Sequence, residues 1–145
     1  MLEIPLLRLD DGLDVPAYAR PGDAGCDLVA RENVVLGPGG GRATIPTGIA
    51  LAIPEGYAGL VLARSGLAAR YGIGCLNAPG LIDPGYRGEV AVILVNTDPS
   101  SSYEVHRGDR IAQLVICRLE QASLLAVDEL PATERGAGGF GHSGR

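Results

Sequence analysis

Apolar and polar positions divide the chain into short runs separated by turn signals. Residues 2–9 (LEIPLLRL), 47–53 (TGIALAI), 57–63 (YAGLVLA), 88–96 (GEVAVILVN) and 110–119 (RIAQLVICRL) are seven to ten residues long and aliphatic, and between them stand PGGG, IPEG, DPGY and HRGD. Short β-rich segments punctuated at this spacing predict a sandwich or barrel. Pro5 confines the first strand to an edge or a bulge, because it has no N–H to give a ladder. One short helix is expected: Ser65 can cap GLAARYG, and Gly72 is placed to end it.

The run EVAVILV is apolar on both faces, with Val90, Val92 and Leu94 pointing one way and Ala91, Ile93 and Val95 the other. A strand of that kind needs a cover on each side. In a chain with so little helix the second cover is expected from another subunit, since homo-oligomer interfaces resemble a core cut in half.

Composition narrows the picture. The 145 residues suffice for one domain with its own core. The 22 glycines and 10 prolines favour many short elements, and with no Trp and one Phe the packing must be aliphatic. Net charge is −5, and the twelve basic residues are all arginine, scattered without a run. No basic face for nucleic acid is expected, although single arginine forks suit individual phosphates. Cys26, Cys75 and Cys117 form no C-x-x-C pair. With no leader pattern and no apolar stretch of ~18 residues, the expectation is buried thiols in a cytoplasmic protein away from membranes.

Several stretches carry candidate chemistry. In NAPGLIDPGYRGEV (77–90), Asp83 to Tyr86 reads as a β-turn, and Asn77, Asp83 and Tyr86 gather an amide, a carboxylate and an aromatic face around it. A plain hairpin corner accounts for the turn equally well. Arg64-Ser65-Gly66 offers a guanidinium, a hydroxyl and free N–H groups at a helix start, suited to an anion, or serves as a helix cap alone. In PGDAGCDL (21–28), Asp23 and Asp27 face a cation or stabilise a turn. GDRIAQLV (108–115) places polar Gln113 in an apolar series. His106 and His142 lack ligand spacing and read as surface residues. The tail RGAGGFGHSG (135–144) fits G-x-G-x-x-G, but the chain ends too soon for a dinucleotide fold, and without lysine there is no Walker loop.

Taken in order, PGDAGCDL, RSG, NAPGLIDPGYRGEV, GDRIAQLV and RGAGGFGHSG closely resemble the five motifs of the homotrimeric dUTPase family, the deoxyuridine triphosphate nucleotidohydrolases. The resemblance implies an all-β, jelly-roll-like β-sandwich with one short helix, over residues 1–134, and a flexible glycine-rich lid at 135–145. It implies a homotrimer with each active site built from three subunits, cutting dUTP to dUMP and pyrophosphate. By matching positions, Asp83 would be the catalytic base that activates water at the α-phosphorus. Tyr86 would lie on the deoxyribose and exclude a 2′-hydroxyl. Asn77 and the main chain of Leu81, Ile82 and Asp83, with the strand near Ala91, would read uracil. Arg64, Ser65, Gly66, Gln113 and Arg110 would bind the phosphates, and Asp27 would approach Mg²⁺ through water. Phe140 would stack on the base while Arg135 and Ser143 hold the γ-phosphate. Ala137 and the absence of lysine depart from the family pattern without touching the base. A dCTP deaminase or bifunctional relative, and a silent nucleotide-binding β-sandwich, are the competing readings. Gly66 after the Arg-Ser pair stands against the first, and an intact Asp83 and tail against the second.

Overall fold

Alternation along the eighth strand decides how the chain packs. In the computed structural model, which describes residues 2–138, Val90, Val92 and Leu94 are buried, whereas Ala91 is exposed and Ile93 and Val95 are half-buried. One face meets the core and the other stays open, as expected for a strand lacking its second cover.

The elements in chain order are β1 (Leu6–Arg8), β2 (Cys26–Val29), β3 (Val34–Leu36), β4 (Gly41–Leu51), β5 (Tyr57–Ala63), α1 (Ser65–Tyr71), β6 (Ile73–Cys75), β7 (Gly80–Ile82), β8 (Glu89–Asn96), β9 (Tyr103–Val105) and β10 (Arg110–Arg118). They form two four-stranded sheets, β1-β4-β8-β6 and β2-β10-β5-β7, and a ribbon β3-β9, with every pair antiparallel. Leu28, Val61, Ala112 and Leu114 from one sheet pack on Ile45, Leu51, Val90, Val92 and Leu94 from the other, giving a β-sandwich whose core is aliphatic throughout. Asn96 is buried yet satisfied, its Nδ2 donating to Leu36 O at 3.1 Å and Ser101 O at 2.8 Å.

The strand at 57–63 forms as expected and those at 88–96 and 110–119 within a residue. The first shrinks to Leu6–Arg8, an edge strand as Pro5 dictates. The fourth begins earlier than position 47, because Gly41 to Pro46 all pair with β8 while Arg42 and Thr44 alternate outward and break the apolar run. Five short strands, β2, β3, β6, β7 and β9, carry too few residues to show a period. The helix ends at Gly72 with φ 65°, as read from the sequence, but Ser65 is not its cap. Arg64 takes the extended cap conformation, no side chain bonds the free N–H groups, and Ser65 is the first helical residue. Asp23 does serve a turn, accepting from Arg20 N at 2.9 Å, while Asp27 lies in β2. Only Cys26 of the three free thiols is fully buried, and burial pushes it up from its ordinary pKa; Cys75 and Cys117 are half-buried.

Beyond β10 the chain runs from 119 to 138 without strand or helix, and Leu124, Leu125 and Leu130 are 94, 83 and 85% exposed.

Candidate active site

Strand β7 and the turn after it build one wall of a pocket, and the open face of β8 builds the other. The cavity holds about 220 Å³ and is lined by Asn77, Leu81, Ile82, Asp83, Tyr86 and Ala91, together with Thr44, Glu89, Val90 and Ile93. Six of the seven residues that the sequence assigns to the base, the sugar and the nucleophile meet here; the seventh, Phe140, lies outside the described residues. Asp83 to Tyr86 form the expected turn, with Tyr86 N donating to Asp83 O at 3.1 Å. Arg87 fastens it by donating to Pro84 O at 2.6 Å and Tyr86 O at 2.8 Å. The Tyr86 hydroxyl donates to Glu89 O at 3.0 Å, and a Cβ on Gly88 would strike the ring. Gly80 admits Asn77: a Cβ there would stand 3.4 Å from Asn77 Nδ2 and 3.2 Å from Val61 Cβ.

Main-chain groups face the same cavity. β7 is the last strand of its sheet, bonded only to β5, so its outer edge keeps N–H and C=O groups the ladder does not use. On β8, pairing with β6 spans Leu94 to Asn96, which leaves the edge at Ala91 free. Asp83 itself is exposed, and among the described residues its carboxylate has no hydrogen-bond or ion-pair partner.

A second cluster lies on the outer face of the other sheet. Asp27 on β2 and Gln113 on β10 are paired neighbours, alternating with buried Cys26, Leu28, Ala112 and Leu114. Arg64 Nε stands 3.1 Å from Asp27 Oδ1, Arg110 Nη1 3.4 Å from Asp27 Oδ2, and Arg64 Nη1 donates to Arg110 O at 3.1 Å. Two guanidiniums share one carboxylate, which leaves a net positive charge for an anion. Asp27 Oδ1 is buried and makes no hydrogen bond, since Arg64 approaches it out of line. Ser65 and Gly66 are exposed beside Arg64, and a Cβ on Gly66 would meet nothing within 4 Å. Among the described residues no three His, Cys, Asp or Glu side chains group as a metal site.

The two clusters share no residue: the pocket is enclosed by β7 and its turn together with β4 and β8, whereas Asp27, Gln113 and Arg110 lie on β2 and β10 and Arg64 follows β5. Among the described residues Arg135 bonds its own turn, donating to Gly138 O at 2.9 Å. Phe140, Ser143 and His142 lie outside the described residues, and His106 is exposed as expected. Sequence reading missed Glu89 and Thr44 in the pocket wall. Glu89 stands inside the quoted RGEV, but nothing local marks it as more than a strand residue.

Residues 11–144 match the family model described as dUTPase. The deoxyuridine 5′-triphosphate nucleotidohydrolase of Thermobifida fusca is 57% identical over 143 residues, covering 99% of this chain and 79% of the relative. That of Mycobacterium bovis is 52% identical over 146 residues, covering 97% and 94%. Among solved structures, the dUTPase of Staphylococcus bacteriophage 80alpha with dUpNHpp superposes with TM-score 0.91 at 31% identity over the whole of both chains. A mutant dUTPase from phage phi11 of S. aureus, with a structural Mg(II) ion, gives TM-score 0.82 at 28% identity, covering 90% of this chain and all of that one.

Proposed function

Because the chain belongs to the dUTPase family and is a dUTP diphosphatase, we propose that Asp83 is the base that activates water against the α-phosphorus, releasing dUMP and pyrophosphate. The observation that carries this reading is the pocket that joins Asn77, Asp83, Tyr86 and the free edges of β7 and β8 around one cavity of nucleoside size. Fixed N–H and C=O groups suit uracil, which offers acceptor, donor, acceptor along its edge. Cytosine reverses two of these and would leave buried groups unpaired, a costly mismatch. Tyr86 lies against the sugar and leaves no room for a 2′-hydroxyl. Asp83 accepts the proton of the water and holds the 3′-hydroxyl.

Arg64 and Arg110 take the phosphates as planar forks, with Gln113, Ser65 and the main chain at Gly66. The vacant space at Gly66 is consistent with close approach of a phosphate. Asp27 fits Mg²⁺ held through water: the ion favours few carboxylates plus phosphate oxygens, and Asp27 Oδ1 has an acceptor position unused by any hydrogen bond. Bound with the triphosphate, Mg²⁺ would neutralise phosphate charge as the anhydride breaks. Residues 135–145 act as the lid, with Phe140 on the base and Arg135 and Ser143 on the γ-phosphate.

A nucleoside pocket and a phosphate cluster that share no residue form one site when two copies meet, which supports the homotrimer. The open faces of β8 and the bare leucines of the terminal arm support it too, since burying a leucine is worth ~1.5–3 kcal/mol. An apolar groove of about 440 Å³ lined by Leu2, Ile4, Val15, Pro16, Ile49 and Ile116, among others, is a matching surface. Free thiols suit the reducing cytoplasm, and among the described residues no helix is long and apolar enough to cross a membrane. The test is Asp83→Asn, which keeps the size of an exposed side chain. Pyrophosphate release from dUTP should fall about a hundredfold to ten-thousandfold, with an unchanged melting temperature. Retained activity would remove Asp83 from the chemistry.

A further inference from the structure

Four charged side chains run in a line into the wall of the nucleoside pocket. Arg107 grips Asp10 with both terminal nitrogens, Nη2 donating to Oδ1 at 2.7 Å and Nη1 to Oδ2. Arg31 stands between Asp10 and Glu89: its Nε donates to Asp10 Oδ2 at 3.3 Å and its Nη1 to both oxygens of Glu89 at 3.2 Å. Arg31 Nη2 also donates to Leu9 O at 2.9 Å, and Arg31 N to Pro46 O at 2.8 Å. The side chains of Asp10, Glu89 and Arg31 are 17, 27 and 35% exposed, so this network is less screened than an open surface pair.

The network converges on an irregularity. Pro46 pairs with Ala91 and Ala50 with Glu89, so three residues of β4 stand opposite Val90 alone. The ladder bonds lost there are replaced by side chains: Thr47 Oγ1 donates to Val90 O at 2.6 Å, and Gly48 N donates to Glu89 Oε1 at 2.8 Å. Gly48 has φ 76°, and a Cβ on it would press Asp10 at 3.1 Å and Leu13 at 3.3 Å, so this fold-over requires glycine. Glu89 is thus held by Arg31 on one side and by the bulge on the other.

What Glu89 holds in turn is Tyr86. The ring is 46% exposed, so packing does not fix it; its bond to the Glu89 carbonyl and its contact with Gly88 do. We infer that Arg31 is a positioning residue for substrate selection: by clamping Glu89 across the β4 bulge it fixes the carbonyl that orients Tyr86, and so sets how strictly the pocket refuses a 2′-hydroxyl. This rests on Tyr86 being the ring that faces the sugar.

The test compares kcat/KM for UTP and dUTP in the assembled full-length protein. Arg31→Met raises the UTP to dUTP ratio roughly tenfold, equivalent to about 1.4 kcal/mol. Arg31→Lys keeps the charge but loses the fork, and recovers part of the discrimination. Tyr86→Phe, which cuts the same chain at its far end, raises the ratio comparably, and Arg31→Met adds nothing on top of it. An Arg31→Met protein that loses activity equally on both substrates overturns the inference. Should that variant fail to fold, Glu89→Gln is read in the same way, and an unchanged ratio there overturns it too. Tyr86→Ala separates the two levels. If it leaves the ratio unchanged, the reading of Tyr86 is wrong; if it raises the ratio while the Arg31 and Glu89 variants do not, only the positioning role falls.

Discussion

Mixing two impaired proteins should restore activity. Asp83 lines a pocket enclosed by β7, β4 and β8, whereas Arg64 pairs with Asp27 in a separate cluster on β2 and β10 that shares no residue with that pocket. A site that uses both draws Asp83 from one copy and Arg64 from the next around a three-fold axis. Asp83→Asn alone loses about a hundredfold to ten-thousandfold through the missing base. Arg64→Ala loses about tenfold to a hundredfold in kcat/KM, the worth of one charged hydrogen-bonding group at 1.5–3 kcal/mol. When the two variants are unfolded together in equal amounts and reassembled at random, half of the copies keep Asp83 and the other half keep Arg64. A site is intact only where one of each meets in the correct order, which gives about one quarter of wild-type turnover. The assay is pyrophosphate release before and after reassembly, with the oligomer checked by light scattering. Activity that stays at the average of the two parents would mean that both residues serve one chain's own site, and the cross-subunit reasoning would be wrong.

Deleting residues 135–145 should leave the oligomer and its melting temperature intact while turnover falls by at least about a hundredfold, since a lid orders and dries the reacting groups; dissociation of the oligomer would instead make the tail structural. The Arg107 guanidinium, then the amide of Gly12 and the Arg31 guanidinium, hold the Asp10 carboxyl far below its usual range despite some desolvation. A depressed folded-state pKa contributes stability that is complete above the unfolded value of ~3.9 and is lost as the pH falls below it. Melting temperature should therefore drop more steeply with acid below about pH 4 in the wild type than in Asp10→Asn; parallel curves would show that the network does not couple to folding.

How much the sequence revealed depended on how local the signal was. Strand β8 announced itself because it is a continuous aliphatic run rich in β-branched residues, and the turn at Asp83 because Asp-Pro-Gly is turn chemistry wherever it stands. Strands β6 and β7 have three residues each and exist because β8 and β5 are there to pair with, which no window of sequence contains. The helix start was misread by one residue because serine caps are common, yet here the extended conformation falls on Arg64, whose side chain turns back to Asp27. Asp83, Tyr86 and Asn77 were legible because they share one quoted stretch. Arg31, 58 positions from Glu89, carried no sign at all, since only the β4 bulge brings the two together.

For Asp83 in the proposed role of base, the absence of a cation partner among the described residues has a physical consequence. A carboxylate beside an arginine is stabilised in its charged form and becomes a weaker base. Asp27 stands between Arg64 and Arg110, with Arg64 Nε 3.1 Å from its Oδ1 and Arg110 Nη1 3.4 Å from its Oδ2, and in the proposed site it faces the ion and not the nucleophile. Asp83 has no cation partner among the described residues, and the nearby Glu89 is already matched by Arg31. In the proposed assembly the arginines of the next copy approach Asp83 together with a triphosphate that occupies their forks, so the nucleotide separates the base from charges that would otherwise quench it. The same arrangement explains how a chain of net charge −5 binds a polyanion: local pairing leaves one guanidinium's worth of charge uncompensated at Asp27, and the field there decides binding, whatever the sum over the molecule.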